Sequence, residues 1–190
     1  MNAVTMAHCP SARRSSRGFT LIELMAVVAI TGLLAVASYS LFRKQLLASK
    51  GSEAVTVIQA IRAAQEAYSA ENHVYLNVST ASGGTLWYPK VPPRSRAAWE
   101  QSSHLDYSRW QALAPAVNRP MLFGYLVNAG EPGTTVPAFQ PLAAPIAFPS
   151  PMIVSWYTIQ ATGDVNGNGI FAKYAASSLN NEIVIENEGE

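Results

Sequence analysis

Glu23 is the one charged side chain between Phe19 and Phe42. A carboxylate inside a spanning helix costs roughly 2.5–3.5 kcal/mol on insertion scales, so it either snorkels to water at a membrane end or meets a cation. A second candidate is "DVNGNG", Asp164 to Gly169, which matches the opening half of a calcium loop. There Asp164, Asn166 and Asn168 offer hard oxygens, Ile170 a carbonyl, and Gly169 permits the sharp turn. The twelfth position, where a complete loop has a bidentate glutamate, holds Ala175. The competing reading is a Gly/Asn hairpin turn. A fold-back of the tail, with a turn near Leu179–Asn180, would bring Glu188 or Glu190 towards the loop and supply the missing carboxylate. A third candidate interleaves Trp87, Tyr88 and Trp99 with Lys90, Arg94 and Arg96. Such a mixture suits polyanions by stacking and phosphate contact, or else is a loop whose aromatic rings anchor it. Two histidines, His73 and His104, lie beyond the N-terminal segment, and no nucleophile triad, metal-hydrolase or phosphate-loop pattern accompanies them. The chain reads as a non-enzyme.

These residues need elements to hold them. Phe19 to Phe42 is 24 residues long, about 36 Å as a helix and enough to cross a bilayer. The basic start (Arg13, Arg14, Arg17) resembles a secretory signal, yet the apolar run exceeds a signal's core and no A-x-A-like site follows. Arg43, Lys44 and Lys50 follow the run, so charge does not orient it.

"GFTLIELM", Gly18 to Met25, resembles the processing motif of type IV pilins and of the pseudopilins of type II secretion. The resemblance implies cleavage by a prepilin peptidase between Gly18 and Phe19, N-methylation of Phe19, and an assembly role for Glu23 as partner of a neighbouring subunit's N-terminal amine. It further implies an inner-membrane platform protein, an assembly ATPase acting indirectly, and self or sibling pilins as partners. Before assembly the chain would stand in the inner membrane with its head in the periplasm; afterwards it would belong to a surface pilus or a periplasmic pseudopilus. Loss of Arg13, Arg14 and Arg17 with the leader leaves ten basic against twelve acidic residues, net −2, which argues against bulk nucleic-acid binding. The single cysteine, Cys9, falls in the leader, so the C-terminal region cannot use the disulfide that many type IV pilins carry there. The sequence also lacks the proline that major pilins often place some twenty residues into the mature chain, although Gly32 remains.

Helical periodicity continues through Ala54, Val57, Ile58, Ile61, Ala64 and Tyr68, with Lys50, Glu53, Gln59, Arg62 and Glu66 expected mostly on the opposite, outward side. No proline interrupts Thr20 to Ala70, which predicts one helix of roughly 50 residues with Gly51–Ser52 as the place for a bend. Asn72, Asn77 and Gly83–Gly84 mark the turns after it. A short helix is expected at Tyr107 to Leu113. Strands are expected at 121–127, 153–161, from Ile170, and from Glu182, with six prolines between Pro132 and Pro151 reading as a surface loop. The fold class is therefore α+β and type IV pilin-like: a long N-terminal helix, its first half transmembrane, packed on a C-terminal antiparallel sheet of about four strands. The organisation is a leader at 1–18, a membrane or filament-core helix at 19–42, an amphipathic helix at 43–71, and a sheet head at 72–190. The function expected is a structural subunit of a type IV pilus. The alternatives are a minor pilin, a type II secretion pseudopilin, a calcium-dependent adhesin, or a DNA-uptake pilin with Lys90, Arg94 and Arg96 exposed together.

Overall fold

The computed structural model describes residues 18–80, 86–90, 95–137, 142, 146 and 148–189, apart from the side chains of Ser40 and Lys44. Cys9, the leader arginines, Gly83–Gly84, Arg94 and Glu190 lie outside the described residues. The first helix, α1, spans Leu21–Asn72. Thr20 precedes it, and its hydroxyl accepts the N–H of Glu23 at 3.3 Å, the first half of the T-x-x-E capping pattern. Its far end is closed by His73, which takes a left-handed conformation (φ 61°) and donates its N–H to the Ser69 carbonyl at 2.8 Å. His73 is thus a helix-ending residue. By compactness the chain divides into a unit ending at Leu41 and a unit running from Phe42 to Glu190.

In the second unit, four strands follow a short helix α2 (Tyr107–Leu113): β1 Gly124–Gly130, β2 Trp156–Gly163, β3 Ala172–Ser177 and β4 Asn180–Glu186. They form an antiparallel meander in the order β1-β2-β3-β4. Tyr125, Val127, Ile159, Ala161, Tyr174 and Ala176 share the face packed with Ala54, Val57, Ile58 and Ile61 of α1. The strands start later than the alternation suggests. Met121 pairs with Ala97 in an isolated bridge, and Glu53 takes the Leu122 N–H, so this stretch serves the loop and the helix before the sheet begins. Ile153 and Val154, β-branched but exposed, precede β2 without joining it. At β4 the error is in the other direction. The turn is only Ser178–Leu179, so Asn180 already pairs with Ser177.

The opposite face of the sheet is also buried: Leu126, Thr158, Gln160, Thr162 and Ala175 are all nearly inaccessible. Part of the reason is the proline-rich connection between β1 and β2. Leu142 lines one small cavity with Gln160, Thr162 and Ala175, Met152 donates its N–H to the Thr134 carbonyl and accepts the Gly133 N–H, and the Thr134 hydroxyl accepts the Trp156 indole N–H at 3.0 Å. Among the described residues of that connection, Leu142 and Met152 pack onto the head while Pro149 to Pro151 are exposed. The free edge of β1 is covered too, by Ser79 and Tyr88, whose backbones bond to Val127 and Tyr125.

The amphipathic reading of α1 needs one correction. Gln59 and Glu66 are exposed, but Glu53 and Arg62 are buried and Lys50 is half-buried. Each of these three holds a different piece of the head. Lys50 donates to the Val165 carbonyl in the β2–β3 loop at 2.9 Å. Glu53 accepts Leu122 N–H at 2.7 Å and pairs with Arg96. Arg62 sends its guanidinium into the β3–β4 turn, donating to the carbonyls of Ser177, Asn180, Asn181 and Glu182 at 3.2–3.4 Å. Gln65, fully buried, makes a paired donor–acceptor contact with the backbone of Leu76 (2.8 and 3.0 Å). Helical spacing located the apolar stripe, but polar residues flanking it reach the head because long side chains can lie along apolar surface with their polar tips bonded.

Gly51 is likewise a packing position. A Cβ there would stand 2.5 Å from the Tyr174 hydroxyl, and the helix assignment runs through Gly51–Ser52 unbroken. Tyr174 is 2 % exposed, and among the described residues its hydroxyl has no hydrogen-bond partner. Burial, then Glu188, pushes its pKa up to about 12, so it stays neutral at physiological pH.

Two stability predictions follow from this packing. Arg62→Ala orphans four carbonyls and should cost roughly 2–4 kcal/mol, a fall of about 5–15 °C in melting temperature, with Arg62→Lys intermediate. A melt within 2 °C of the parent would show that the turn holds without the guanidinium. Gly51→Ala should destabilise the parent chain, because the buried ring must shift. In a Tyr174→Phe background the same change should gain up to about 1 kcal/mol from helix propensity. Equal effects in the two backgrounds would refute the close approach.

Candidate assembly site

Gly18, Phe19 and Glu23 stand at the start of α1, all exposed. Phe19, Leu21, Ile22, Leu24 and Met25 are 59–78 % exposed, and large apolar side chains remain open along the helix to Phe42. The most apolar 18-residue window of α1 has a mean hydropathy of 2.2 and none of it is buried. The helix is long and apolar enough to cross a membrane. Two hydroxyls within this stretch bond to the helix itself: Thr31 donates to the Val27 carbonyl and Ser38 to that of Leu34, each at 2.8 Å. Such back-bonding lets a hydroxyl enter a medium without water. Glu23 is the exception, since its backbone is capped by Thr20 but its carboxylate is a charge set among exposed apolar side chains. The capping role of Thr20 is legible in T-x-x-E but is absent from the two roles, snorkelling and assembly, expected around Glu23.

The Asp164 loop folds as a network of side chain-to-backbone turns. Asp164, 6 % exposed, accepts the N–H groups of Gly167 and Gly169 with its two oxygens. Asn166 accepts from Asn168 N–H at 2.8 Å, and Asn168 from Ile170 N–H at 2.7 Å. The proposed ligand oxygens therefore already serve the turn. The tail does fold back, with Asn187 donating to the Phe171 carbonyl at 3.3 Å and Gly189 beside Leu47. Among the described residues, however, no three His, Cys, Asp or Glu side chains converge as a metal site. One carboxylate and two carboxamides are the hard side-chain oxygens of the loop, and each also accepts a backbone N–H of the turn.

In the basic–aromatic stretch Lys90 and Arg96 are exposed, and Arg94 lies outside the described residues. Arg96 is held by Glu53 and the Pro120 carbonyl, at 2.9 Å for the latter. Tyr88 and Trp99 are buried in the core, where Tyr88 stacks on Trp110 with centroids 5.0 Å apart. His104 packs edge-on against Tyr88, its Nε2 within 3.1 Å of the Trp87 carbonyl and its Nδ1 accepting Asp106 N–H. These side chains anchor the segment that carries α2. Asp106, completely buried, ties it to Thr80 through that residue's N–H and hydroxyl.

Comparison with known proteins bears on the exposed N-terminal segment and on the head. Residues 13–39 match the family model described as the prokaryotic N-terminal methylation motif. The type IV major pilin protein PilA of Myxococcus xanthus is 44 % identical over 68 residues, 36 % of this chain and 31 % of that protein. The type II secretion system core protein G of Klebsiella michiganensis is 34 % identical over 88 residues, 44 % of this chain and 59 % of that one. Its counterpart in Pseudomonas aeruginosa is 31 % identical over 132 residues, 64 % of this chain and 89 % of that protein. The chain thus spans less than two thirds of the first two relatives and most of the third. No solved structure gives a significant match. With the motif at its start, an uncovered apolar helix behind it and near-complete coverage of a core protein G, the chain belongs to the family of type IV pilins and type II secretion pseudopilins.

Proposed function

We propose that this chain is a structural, non-enzymatic filament subunit: a type IV pilin, cut between Gly18 and Phe19 by prepilin peptidase, methylated at Phe19, and polymerised with copies of itself or sibling pilins. The observation that carries the reading is the exposed apolar half of α1 with a single carboxylate near its start. Lipid covers that surface before assembly and other helices cover it afterwards. The mature N-terminal amine of a neighbour is the cation that Glu23 meets on the way, so it acts as a docking guide. The head stands in the periplasm until an inner-membrane platform protein, driven by an assembly ATPase, moves the subunit into the filament.

A pseudopilin of a type II secretion system is the second reading. It is favoured by the 132-residue alignment, which covers 89 % of a core protein G. The two differ in where the polymer stands. Antibody labelling of intact cells detects a pilus. A pseudopilus gives no surface label, and its loss leaves secreted enzymes in the periplasm.

Gly18→Val should leave an uncleaved precursor in the inner membrane, because a bulky residue obstructs the cut. Glu23→Ala should be cleaved and retained in the membrane yet join filaments at under about a tenth of the parent level, since a buried carboxylate–amine pair is lost. Filaments built by Glu23→Ala at parental yield would reduce the carboxylate to a helix-capping and snorkelling residue.

The Asp164 loop acts, on this reading, as a turn that holds β2 and β3 in register. Melting curves of the full chain with calcium and with chelator should superimpose. Weak calcium binding, on the order of 10⁻⁴–10⁻³ M, would instead raise the melting temperature with millimolar calcium, and Asp164→Ala would abolish the rise.

A further inference from the structure

The turn between β2 and β3 is built from a chemically labile sequence. Asn166–Gly167 and Asn168–Gly169 follow one another directly. The turn needs these glycines, because Gly167 (φ 75°) and Gly169 (φ 88°) both take the left-handed region. It uses the asparagines as well, since each side-chain oxygen accepts the N–H two residues on, at 2.8 Å and 2.7 Å. Asparagine followed by glycine is also where a chain loses amides most readily, since glycine has no side chain to obstruct the attack. In that reaction the glycine nitrogen bonds to Cγ of the asparagine and the Cγ–Nδ2 bond breaks. The amide nitrogen leaves as ammonia with the proton of the glycine N–H, and water opens the resulting succinimide to aspartate or isoaspartate. Water has access, as Asn168 and Gly169 are exposed and a Cβ on Gly169 would meet nothing within 4 Å.

One side chain stands against both attacks. Asp164, 6 % exposed, accepts the Gly167 N–H with Oδ1 and the Gly169 N–H with Oδ2, the latter at 3.0 Å. These are the two nitrogens that would have to act as nucleophiles. Each must leave a charge-assisted hydrogen bond before it can approach the neighbouring Cγ. Each must also give up its proton, and a carboxylate beside it opposes the negative charge that would form. We infer that Asp164 is the guard of this turn: it sequesters both glycine nitrogens and so keeps Asn166 and Asn168 as amides in the folded chain. Failure of the guard would set a second carboxylate beside Asp164 or, as isoaspartate, an extra methylene into the backbone between β2 and β3. The inference is independent of the filament proposal, because it concerns the head whether or not the chain is assembled.

The test is peptide mapping by mass spectrometry of the full chain in detergent, aged in mildly alkaline buffer beside the same chain unfolded in urea. Conversion of amide to acid at Asn166 and Asn168 should be at least about tenfold slower in the folded parent, the rate effect of one charge-assisted hydrogen bond. Asp164→Ala should remove most of that protection. Asp164→Asn, with one acceptor oxygen and no charge, should age at an intermediate rate and decides the matter should the alanine variant unfold. Lys50→Ala separates sequestration from mobility. It removes the 2.9 Å bond to the Val165 carbonyl that tethers the same loop to α1, yet leaves Asp164 in place, and it should age as the parent does. The inference is overturned if the folded parent ages as fast as the unfolded chain, or if no folded Asp164 variant ages faster than the parent. It is equally overturned if folded Lys50→Ala ages as fast as the Asp164 variants.

Discussion

Between Phe19 and Phe42 the chain carries fourteen large apolar side chains that it does not cover. Burying each is worth about 1.5–3 kcal/mol, so the segment holds on the order of 20 kcal/mol or more of unmet apolar burial. That exceeds the roughly 2.5–3.5 kcal/mol cost of placing Glu23 in the same environment, so the charge cannot keep the segment in water. On the proposed reading, every other feature of the segment must suit a helix whose apolar half lies inside lipid or a bundle of like helices. The hydroxyls of Thr31 and Ser38 are turned back onto the helix accordingly, while Glu23 is the one charged residue of the segment.

The head faces a different constraint. It has no disulfide, and its sheet is buried on both faces with polar side chains on one of them. Non-directional apolar packing by Ile58 and Ile61 brings α1 and the sheet together, but it does not choose a register. The directional contacts do. Lys50, Glu53, Arg62 and Gln65 each bind the backbone of a separate connection: the β2–β3 loop, the approach to β1, the β3–β4 turn, and the strand-like segment after α1. A guanidinium on four carbonyls joins the last hairpin to the helix in the region where many pilins use a covalent link.

What the sequence disclosed and withheld divides along the same line. The continuous helix, α2, and the four-strand meander were readable because periodicity and turn residues are local properties. The motif at Gly18 to Met25 was readable because charge and hydropathy there are determined by the membrane, whatever the head does. Arg62 and Glu53 were misassigned to the outward face because helical phase gives the direction of a Cβ, while these long side chains reach sideways to partners more than 60 residues away. The Asp164 loop was ambiguous for a physical reason: the same oxygens that would bind a cation can bond to the loop's own N–H groups, and only the folded geometry shows that they do. The placement of Leu142 beside Gln160 and Thr162 is a long-range contact that no local pattern encodes.

The central claim is that the uncovered apolar helix is a retained assembly surface, exposed to its neighbours by removal of a short leader. Intact-mass spectrometry of the chain, taken from isolated inner membranes and from polymer sheared or purified from cells, tests it most directly. The account predicts a single species in both fractions: residues 19–190 carrying one added methyl group. Polymer containing residues 1–18, or a chain cut beyond Phe42 and recovered free of membrane, would contradict it.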